Sequence, residues 1–272
     1  MAIFGGENRD SYFDEGVTAA MRGDLARAIE YFEKCIRLDS SYSAPYHQLG
    51  KVYHRLGNFA KAAAFLSQVV TAKPTQLPPR VDLGYALLGM GNTPKAQEMF
   101  REAIALKADN TRARLGLAHC TYQSGQKDAA ILLAQDVVES GGANFGAFYL
   151  MARAASECGR QDLVPEAINR ATKLIEKSIE TSPDQPEGYY LRGLLQEIYG
   201  DPAKAEEDYQ QAVERGAPGK HYAAYEEHFA LPDMLARLAA MQRKRGNAAA
   251  AEVTLEKLRA IDPTSPHLGP AA

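Results

Sequence analysis

The chain has few cysteines and no long apolar run. Its three cysteines (Cys35, Cys120 and Cys158) are scattered and odd in number, which argues against a disulfide framework and favours a reducing compartment. No stretch approaches the roughly 18 uninterrupted apolar residues that a membrane-spanning helix needs. The N-terminal residues also lack the basic region of a secretory signal. These absences predict a cytoplasmic protein without direct membrane insertion.

An excess of charge of one sign is also missing. The formal net charge is −3, from 31 basic and 34 acidic side chains. Binding to nucleic acid through counterion release needs clustered lysine and arginine, so DNA and RNA are not expected partners. The share of hydrophobic residues, 46%, is that of a folded globular protein rather than a disordered one.

Motifs for metal binding and catalysis are missing as well. His47 and His54 lie seven residues apart, which on one helix is about 10 Å along the axis and too far for a shared zinc ion. His221 and His228 have the same spacing and would be as far apart if their segment is helical. No glycine-rich segment is followed by the Lys-Ser or Lys-Thr pair of a phosphate-binding loop. We therefore expect no metal, no cofactor and no enzymatic activity.

The sequence does contain an internal repeat that is marked by glycine. The first five of these glycines follow one another at intervals of 34 residues, and two more follow at intervals of 41 and 46. They are Gly23, Gly57, Gly91, Gly125, Gly159, Gly200 and Gly246. Glycine tolerates positive φ and therefore suits a sharp turn between two helices. Each interval predicts one pair of helices.

Two further positions of the repeat hold small residues, and a third holds a mostly large one. Seven residues before the glycines stand Gly16, Gly50, Gly84, Ala118, Ala152, Gly193 and Ala239. Five residues after them stand Ala28, Ala62, Ala96, Ala130, Val164, Ala205 and Ala251. Nine residues after them stand Phe32, Leu66, Phe100, Ala134, Ile168, Tyr209 and Leu255. The small residues indicate that two helices approach each other closely at those positions.

These residues resemble the tetratricopeptide repeat (TPR) family, and the resemblance runs from about residue 9 to residue 265. It implies an all-α fold, a right-handed superhelical solenoid of antiparallel helix pairs. The expected organisation is a lead-in (1–8), a single solenoid with units at about 9–42, 43–76, 77–110, 111–144, 145–185, 186–219 and 232–265, an insert at 220–231, and a C-terminal tail (266–272). The family's early aromatic residue is replaced by Arg80, Arg114 and Leu235 in three units.

Two insertions interrupt the 34-residue period. The interval of 41 adds seven residues, about two helical turns, and predicts a lengthened second helix from Leu163 to about Thr181. The interval of 46 adds twelve residues around 220–231. There Tyr222, Tyr225 and Phe229 are spaced i, i+3, i+7, which predicts an extra helical turn or a short helix. Either insertion could serve binding, and the aromatic stripe could equally pack on a neighbouring repeat.

In this family the first helix of each pair lines a concave groove, so the resemblance implies a set of partner-binding residues. The set is Phe13, Val17, His47, Lys51, His54, Arg55, Tyr85, Leu115, His119, Tyr122, Tyr149, Arg153, Tyr190 and Leu194. It contains a tyrosine in four successive units and a basic cluster in the second unit. Tyrosine and arginine often concentrate binding energy, but the tyrosines could instead pack between units. The inward positions hold no asparagine, so a carboxylate-clamping adaptor of the kind found among some family members is not expected.

The expected function is that of a scaffold or adaptor that binds a partner protein or peptide in this groove. A partner with acidic character and aromatic or aliphatic anchors would complement the residues of the set. The alternative is a self-associating or complex-embedded structural subunit, because the last unit lacks a polar capping helix. Its face with Val253, Leu258 and Ile261 would then be uncovered, unless the short tail folds back with Leu268 as a cover.

Overall fold

A computed structural model describes residues 8–141 and 144–268. Within these ranges the chain forms fourteen α-helices, one hairpin of two short strands and a 3-10 helix at Pro266–Leu268. The helices are α1 (Arg9–Met21), α2 (Leu25–Leu38), α3 (Ser43–Arg55), α4 (Phe59–Ala72), α5 (Leu77–Gly89), α6 (Thr93–Leu106), α7 (Thr111–Gln123), α8 (Lys127–Gly141), α9 (Phe145–Cys158), α10 (Val164–Thr181), α11 (Pro186–Tyr199), α12 (Pro202–Arg215), α13 (Leu231–Lys244) and α14 (Ala248–Ile261). The strands are β1 (His221–Ala224) and β2 (Glu227–Ala230).

The chain forms two compact units, unit 1 (residues 1–120) and unit 2 (residues 121–272). In unit 1, α1 packs on α2, α3 on α4 and α5 on α6, and α2–α3 and α4–α5 connect successive pairs. In unit 2, α9 packs on α8 and α10, α11 on α12, and α13 on α14. Consecutive packed helix pairs are the architecture of TPR solenoids, which confirms the predicted all-α fold class.

The turn inside a helix pair has a recurring local chemistry. Gly57 has a φ of +69°, a left-handed conformation that L side chains rarely adopt. The next residue, Asn58, accepts a hydrogen bond from the amide of Lys61 and so caps the N-terminus of α4. Asp24 and Asn92 cap α2 and α6 in the same way. The glycine therefore makes the turn, and the residue after it starts the second helix.

The small and large positions of the repeat meet across each glycine-containing pair. A Cβ placed on Gly84 would lie 2.6 Å from Cε1 of Phe100, and one on Gly193 would lie 2.6 Å from Cε1 of Tyr209. Phe100 and Tyr209 are fully buried. The glycine on the first helix thus makes room for the large side chain on the second, sixteen residues later.

The two insertions have different structures. The first lengthens α10 to 18 residues, Val164–Thr181, as the seven added residues predict. The second forms the β1–β2 hairpin, so the prediction of a helical turn at residues 220–231 is wrong. Tyr222 and Phe229 are directly opposed across the two strands, and Tyr225 and Glu226 form a two-residue turn with φ of +52° and +66°. A spacing of seven residues places two side chains on one face of a helix, but it also places them opposite each other around such a turn.

The C-terminal end is partly covered by the residues that follow α14. The Pro266–Leu268 helix packs on α13 and α14, and Leu268 lies against the core of unit 2. Leu258 is fully buried, whereas Val253 and Ile261 are exposed. The tail thus folds back with Leu268, as one of the two predictions for this face had it, but it leaves Val253 and Ile261 uncovered. In the described part of the chain, no helix combines the length and the apolar character needed to cross a bilayer.

Candidate partner-binding faces

The first-helix face of unit 1 is carried by α1, α3 and α5. Phe13 and Val17 of α1 are half-buried, and the Phe13 ring lies 5.8 Å from Phe32 and 5.5 Å from Tyr42 between ring centroids. These two residues form an apolar floor that remains partly accessible. On α7, Leu115 is buried and His119 is half-buried. Leu115 therefore offers little surface to a partner.

Lys51 and Arg55 are exposed on α3, one turn apart. Lys51 forms no ion pair with any residue of the described part of the chain. Arg55 donates a hydrogen bond from Nη1 to the backbone carbonyl of Ala20 at 3.0 Å, which orients the guanidinium without neutralising its charge. Both cations are therefore presented to solvent on this face. His54, the residue before Arg55, is half-buried, and its ring lies 5.3 Å from Phe59.

A buried carboxylate organises the neighbouring part of the same face. Asp82 of α5 is 8% exposed and pairs with His47 Nε2 at 2.8 Å and with Arg112 Nη1. Burial raises the pKa of Asp82, but the hydrogen bond with His47 and the charge of Arg112 outweigh it and hold the pKa below its ordinary value. His47 and Arg112 are thus balanced by an anion, in contrast to Lys51 and Arg55.

Tyr85 belongs to the packing between helices rather than to an open surface. It is 2% exposed, its ring lies 4.9 Å from Phe100, and its hydroxyl donates a hydrogen bond to the carbonyl of Arg112 at 2.8 Å. The Arg112 guanidinium lies 4.8 Å from the ring centroid. This arrangement corresponds to the packing alternative for the tyrosines.

In unit 2, Tyr122 and Arg153 lie in a small network of charged groups. The Tyr122 hydroxyl donates to Glu157 Oε1 at 2.6 Å, and Lys127 pairs with the other oxygen of that carboxylate at 2.9 Å. Arg153 lies 5.1 Å from the centre of the Tyr122 ring and 3.5 Å from Glu157. Partial burial and the bond to Glu157 raise the pKa of Tyr122 to about 12. Arg153 is half exposed, but its charge is balanced locally.

The hairpin covers the first-helix face of α9 and α11. The Phe229 ring stacks on Tyr190 with centroids 3.9 Å apart, and the Tyr225 ring packs on Phe145 with centroids 4.7 Å apart. Three predicted groove residues, Tyr149, Tyr190 and Leu194, are buried to between 4% and 6% exposure. The sequence left open that the aromatic stripe packs on a neighbouring repeat, which is what Phe229 does, but it predicted a helix where the insert forms a hairpin. The strand segments, His-Tyr-Ala-Ala and Glu-His-Phe-Ala, show no regular alternation of apolar and polar residues, so the sequence contains little signal for them.

Charged groups connect the helices next to the hairpin. Arg237 of α13 pairs with Glu197 of α11 at 3.0 Å, and Glu197 also accepts a hydrogen bond from Tyr209. Glu227 of β2 is close to both Arg153 and Arg237. Burial raises the pKa of Glu227, and the two guanidinium groups offset this only in part.

The hairpin also corrects one expectation about histidines. His221 Nε2 and His228 Nδ1 lie 3.1 Å apart, because the strands bring together two residues that a helix would have separated. Burial lowers the pKa of His221, which disfavours its protonated form. Two of the three thiols have little nucleophilic character: Cys35 is fully buried with a raised pKa, and burial raises the pKa of Cys120 to about 12.

Comparison with known proteins agrees with this geometry. Family models described as "Tetratricopeptide repeat" match residues 19–85, 87–154 and 153–221. The matched ranges end at the first residue of β1. No curated protein matches the sequence.

Several solved structures share the fold at low sequence identity. A tetratricopeptide repeat protein from Parabacteroides merdae is 14% identical, with 97% of this chain and 96% of that chain covered and a TM-score of 0.61. A structure described as human IFIT1 dimer with PPP-AAAA is 19% identical, with 94% and 60% covered and a TM-score of 0.71. The Cut9–Hcn1 hetero-tetramer of the APC/C is 15% identical, with 94% and 47% covered and a TM-score of 0.64. With most of its residues matched by the family models, the chain belongs to the tetratricopeptide repeat family.

Proposed function

We propose that this chain is a non-enzymatic, cytoplasmic scaffold that captures an acidic segment of a partner protein on the first-helix face of unit 1. The TPR fold supports a role in protein–protein interaction in general, and the particular face is our assignment. Lys51 and Arg55 would pair with the partner's carboxylates. Phe13 and Val17 would contact an aliphatic or aromatic anchor beside them. Nucleic acid is not a proposed partner.

The exposed cation pair carries this proposal. Lys51 and Arg55 have no carboxylate partner within residues 8–141 and 144–268, whereas the other ionised groups described on the two faces are balanced. Exposed like charges one helical turn apart repel each other weakly. A bound carboxylate would relieve that repulsion, so the face is electrostatically complementary to an acidic segment.

Of the predicted groove residues, the structure favours those that remain accessible. In unit 1, Lys51 and Arg55 are exposed, and Phe13, Val17, His47, His54 and His119 are half-buried. In unit 2 the accessible residues are Arg153 and Tyr122, which could form a further polar contact. The buried members of the set would act by holding the helices in place. Self-association through the C-terminal face is less well supported, because Leu258 is covered.

The experiment is fluorescence anisotropy with a labelled peptide of alternating Glu and Leu, against a matched Gln and Leu peptide. The variant Lys51→Glu/Arg55→Glu reverses both charges of the face. The matched control is Lys95→Glu/Arg101→Glu, which makes the same charge change at exposed positions of the second helix α6. We expect the first variant to weaken binding of the Glu peptide at least tenfold and the control to change it less than threefold.

Salt supplies a second measurement on the same peptide. Binding that depends on exposed ion pairs should weaken steadily between low and high ionic strength, since the Debye length falls from about 10 Å at 0.1 M to about 3 Å at 1 M. Equal loss of binding in both charge-reversed variants would contradict the proposal. Equal binding of the Glu and Gln peptides would contradict it as well.

A further inference from the structure

The two insertions meet in unit 2 and form a pocket of about 440 Å³ between them. The last turns of the lengthened helix α10 provide one wall, and the start of α9 with the tip of the hairpin provides the other. The lining residues are Asn144, Phe145, Leu174, Lys177, Ser178, Thr181, Ser182 and Tyr225. Neither wall would have this form in a repeat of the regular 34-residue period.

The lining is chemically divided. Phe145, Tyr225 and Leu174 provide an apolar wall, and the two rings lie 4.7 Å apart between centroids. Ser178 and Ser182 add polar groups on α10. Lys177 contributes the only cationic side chain among the lining residues, and it forms no ion pair with any other residue that the structure describes.

The turn residue Tyr225 is an unusual choice for its backbone conformation. Its φ of +52° favours Gly, Asn or Asp in a two-residue hairpin turn. Its side chain is also 47% exposed, so burial alone is a weak reason for a large aromatic ring at this position. The ring packs on Phe145 and lines the pocket, and its exposed part offers an apolar surface to an occupant.

We propose that this pocket is a second partner contact, which takes one apolar side chain and an adjacent carboxylate from a segment of a partner protein. The apolar side chain would lie in the pocket against Leu174 and the Tyr225 ring that covers Phe145, and the carboxylate would pair with Lys177 and accept a hydrogen bond from Ser178. The volume is sufficient for a single amino-acid residue. The inference rests on the proposed function only in that the occupant is part of a protein.

The test uses N-acetylphenylalanine as a minimal probe and N-acetylphenylalaninamide as its uncharged counterpart. Both are titrated into the full-length ¹⁵N-labelled protein while amide chemical shifts are recorded. We expect saturable shifts at Phe145, Ser178 and Tyr225 with the acid, and at least fivefold weaker binding of the amide. Equal affinities for the acid and the amide would contradict the proposed ion pair between the carboxylate and Lys177. Absence of shifts at these residues would overturn the proposal.

Two variants locate the interaction, and a third separates it from the face of unit 1. Lys177→Gln should weaken binding of N-acetylphenylalanine at least fivefold. Lys173→Gln, which changes an exposed lysine one turn earlier on α10, should leave that binding unchanged. Tyr225→Gly should weaken binding of both probes. It should leave the fold intact, because glycine suits the positive φ at this position. Lys51→Glu/Arg55→Glu should bind the probe normally. The two proposals fail separately: unchanged peptide capture in that variant would contradict the face of unit 1, and absence of probe binding to the unaltered protein would contradict the pocket.

Discussion

The two units carry the same repeat, but their first helices have different surroundings. In unit 1 the glycine marker keeps its 34-residue period, and α3 presents Lys51 and Arg55 to solvent. In unit 2 two insertions break the period, and the hairpin covers Tyr190 of α11. Two tyrosines of the predicted groove therefore have different cover: Tyr85 is enclosed by the helix pairs themselves, and Tyr190 by an added segment.

This difference shows how a repeat protein can change a face without changing its helices. A regular period leaves the first-helix face open to a partner, except where side chains pack between pairs. An insertion that folds back supplies the chain's own Tyr222 and Phe229, which are 2% and 1% exposed. Burial of a large aromatic side chain contributes about 2–3 kcal/mol, so the hairpin is a stable part of unit 2. Any partner contact in unit 2 is then expected at the edge of the insert.

The largest expected effect comes from Phe229→Ala. Removing a fully buried phenylalanine costs about 3–5 kcal/mol, and here it also uncovers Tyr190. Since repeat proteins open locally, native-state hydrogen exchange should show faster exchange in α11 and α13 and nearly unchanged exchange in α3 and α5. The control Leu132→Ala removes a side chain that is 65% exposed in unit 2 and should change stability by less than about 0.5 kcal/mol. Protection of α11 as strong as in the unaltered protein would contradict the role of the hairpin as a cover.

A smaller effect is expected where the two units use the same packing. Gly84→Ala in unit 1 and Gly193→Ala in unit 2 each place a Cβ about 2.6 Å from a buried ring. Overpacking of this kind costs about 1–3 kcal/mol. We expect similar losses in urea unfolding for both, because in both the added Cβ first meets a ring on the second helix of the pair. A loss confined to one unit would show that the repeat lattice is not equivalent in the two.

The residue pairs in other units indicate how the overpacking caused by Gly84→Ala can be relieved. Where the first position is alanine, the second is never aromatic: Ala118 precedes Ala134, Ala152 precedes Ile168, and Ala239 precedes Leu255. The double variant Gly84→Ala/Phe100→Leu copies the last of these pairs. It should be more stable than Gly84→Ala alone by about 1 kcal/mol, since a smaller side chain then faces the added methyl group. Additive losses in the double variant would exclude this contact as the cause.

These pairs are also the part of the fold that sequence reasoning predicted best. The spacing of glycines and small residues depends on contacts within one helix pair, which recur at fixed separations. The 18-residue length of α10 was predictable for a related reason, since seven extra residues continue a helix on the same face. The candidate site was predicted less well. Burial of Tyr149 and Tyr190 depends on how the insert folds. The positions that recur in the repeat do not predict the structure of the insert.

The hairpin shows the physical limit of the spacing argument. Tyr222, Tyr225 and Phe229 fit a helical stripe, and the turn between the strands contains neither glycine nor asparagine. The usual local signal for a two-residue hairpin is therefore absent. What stabilises the strands is packing of Phe229 and Tyr222 on residues far away in sequence, such as Tyr190. Such tertiary contacts override local preference.

Two buried aspartates extend the comparison between the units to electrostatics. Asp82 in unit 1 has two partners, the imidazole of His47 and the guanidinium of Arg112, and its pKa is lowered in spite of burial. Asp208 in unit 2 has one partner, Arg192, whose Nη2 lies 2.7 Å from Oδ1 of Asp208. Burial raises the pKa of Asp208, and the bonds from Arg192 do not fully offset it because Glu207 and Glu176 add negative charge nearby.

The smallest expected effect is a difference of sign in how the two units respond to acid. A lowered pKa at Asp82 means that its stabilisation is present above the ordinary value of about 3.9 and is lost as pH falls through the folded pKa. A raised pKa at Asp208 means the opposite: stability is greatest below the ordinary value and declines as pH rises through the folded pKa. Between pH 7 and pH 4, exchange corrected for intrinsic rates should therefore show α12 becoming more protected and α5 unchanged.

The asparagine variants separate the two aspartates from other groups. At pH 7, Asp82→Asn should destabilise unit 1 by about 1–2 kcal/mol, because it weakens charge-assisted hydrogen bonds. It should also abolish the loss of amide protection in α5 below pH 4.

Asp208→Asn should lower the free energy of unfolding at pH 7 by less than Asp82→Asn does, since burial already disfavours the ionised carboxylate of Asp208. It should reduce the gain of protection on acidification without abolishing it, because Glu227 also has a raised pKa and responds with the same sign. A gain that is unchanged in Asp208→Asn would assign the response of unit 2 to Glu227 alone, and with it to the hairpin.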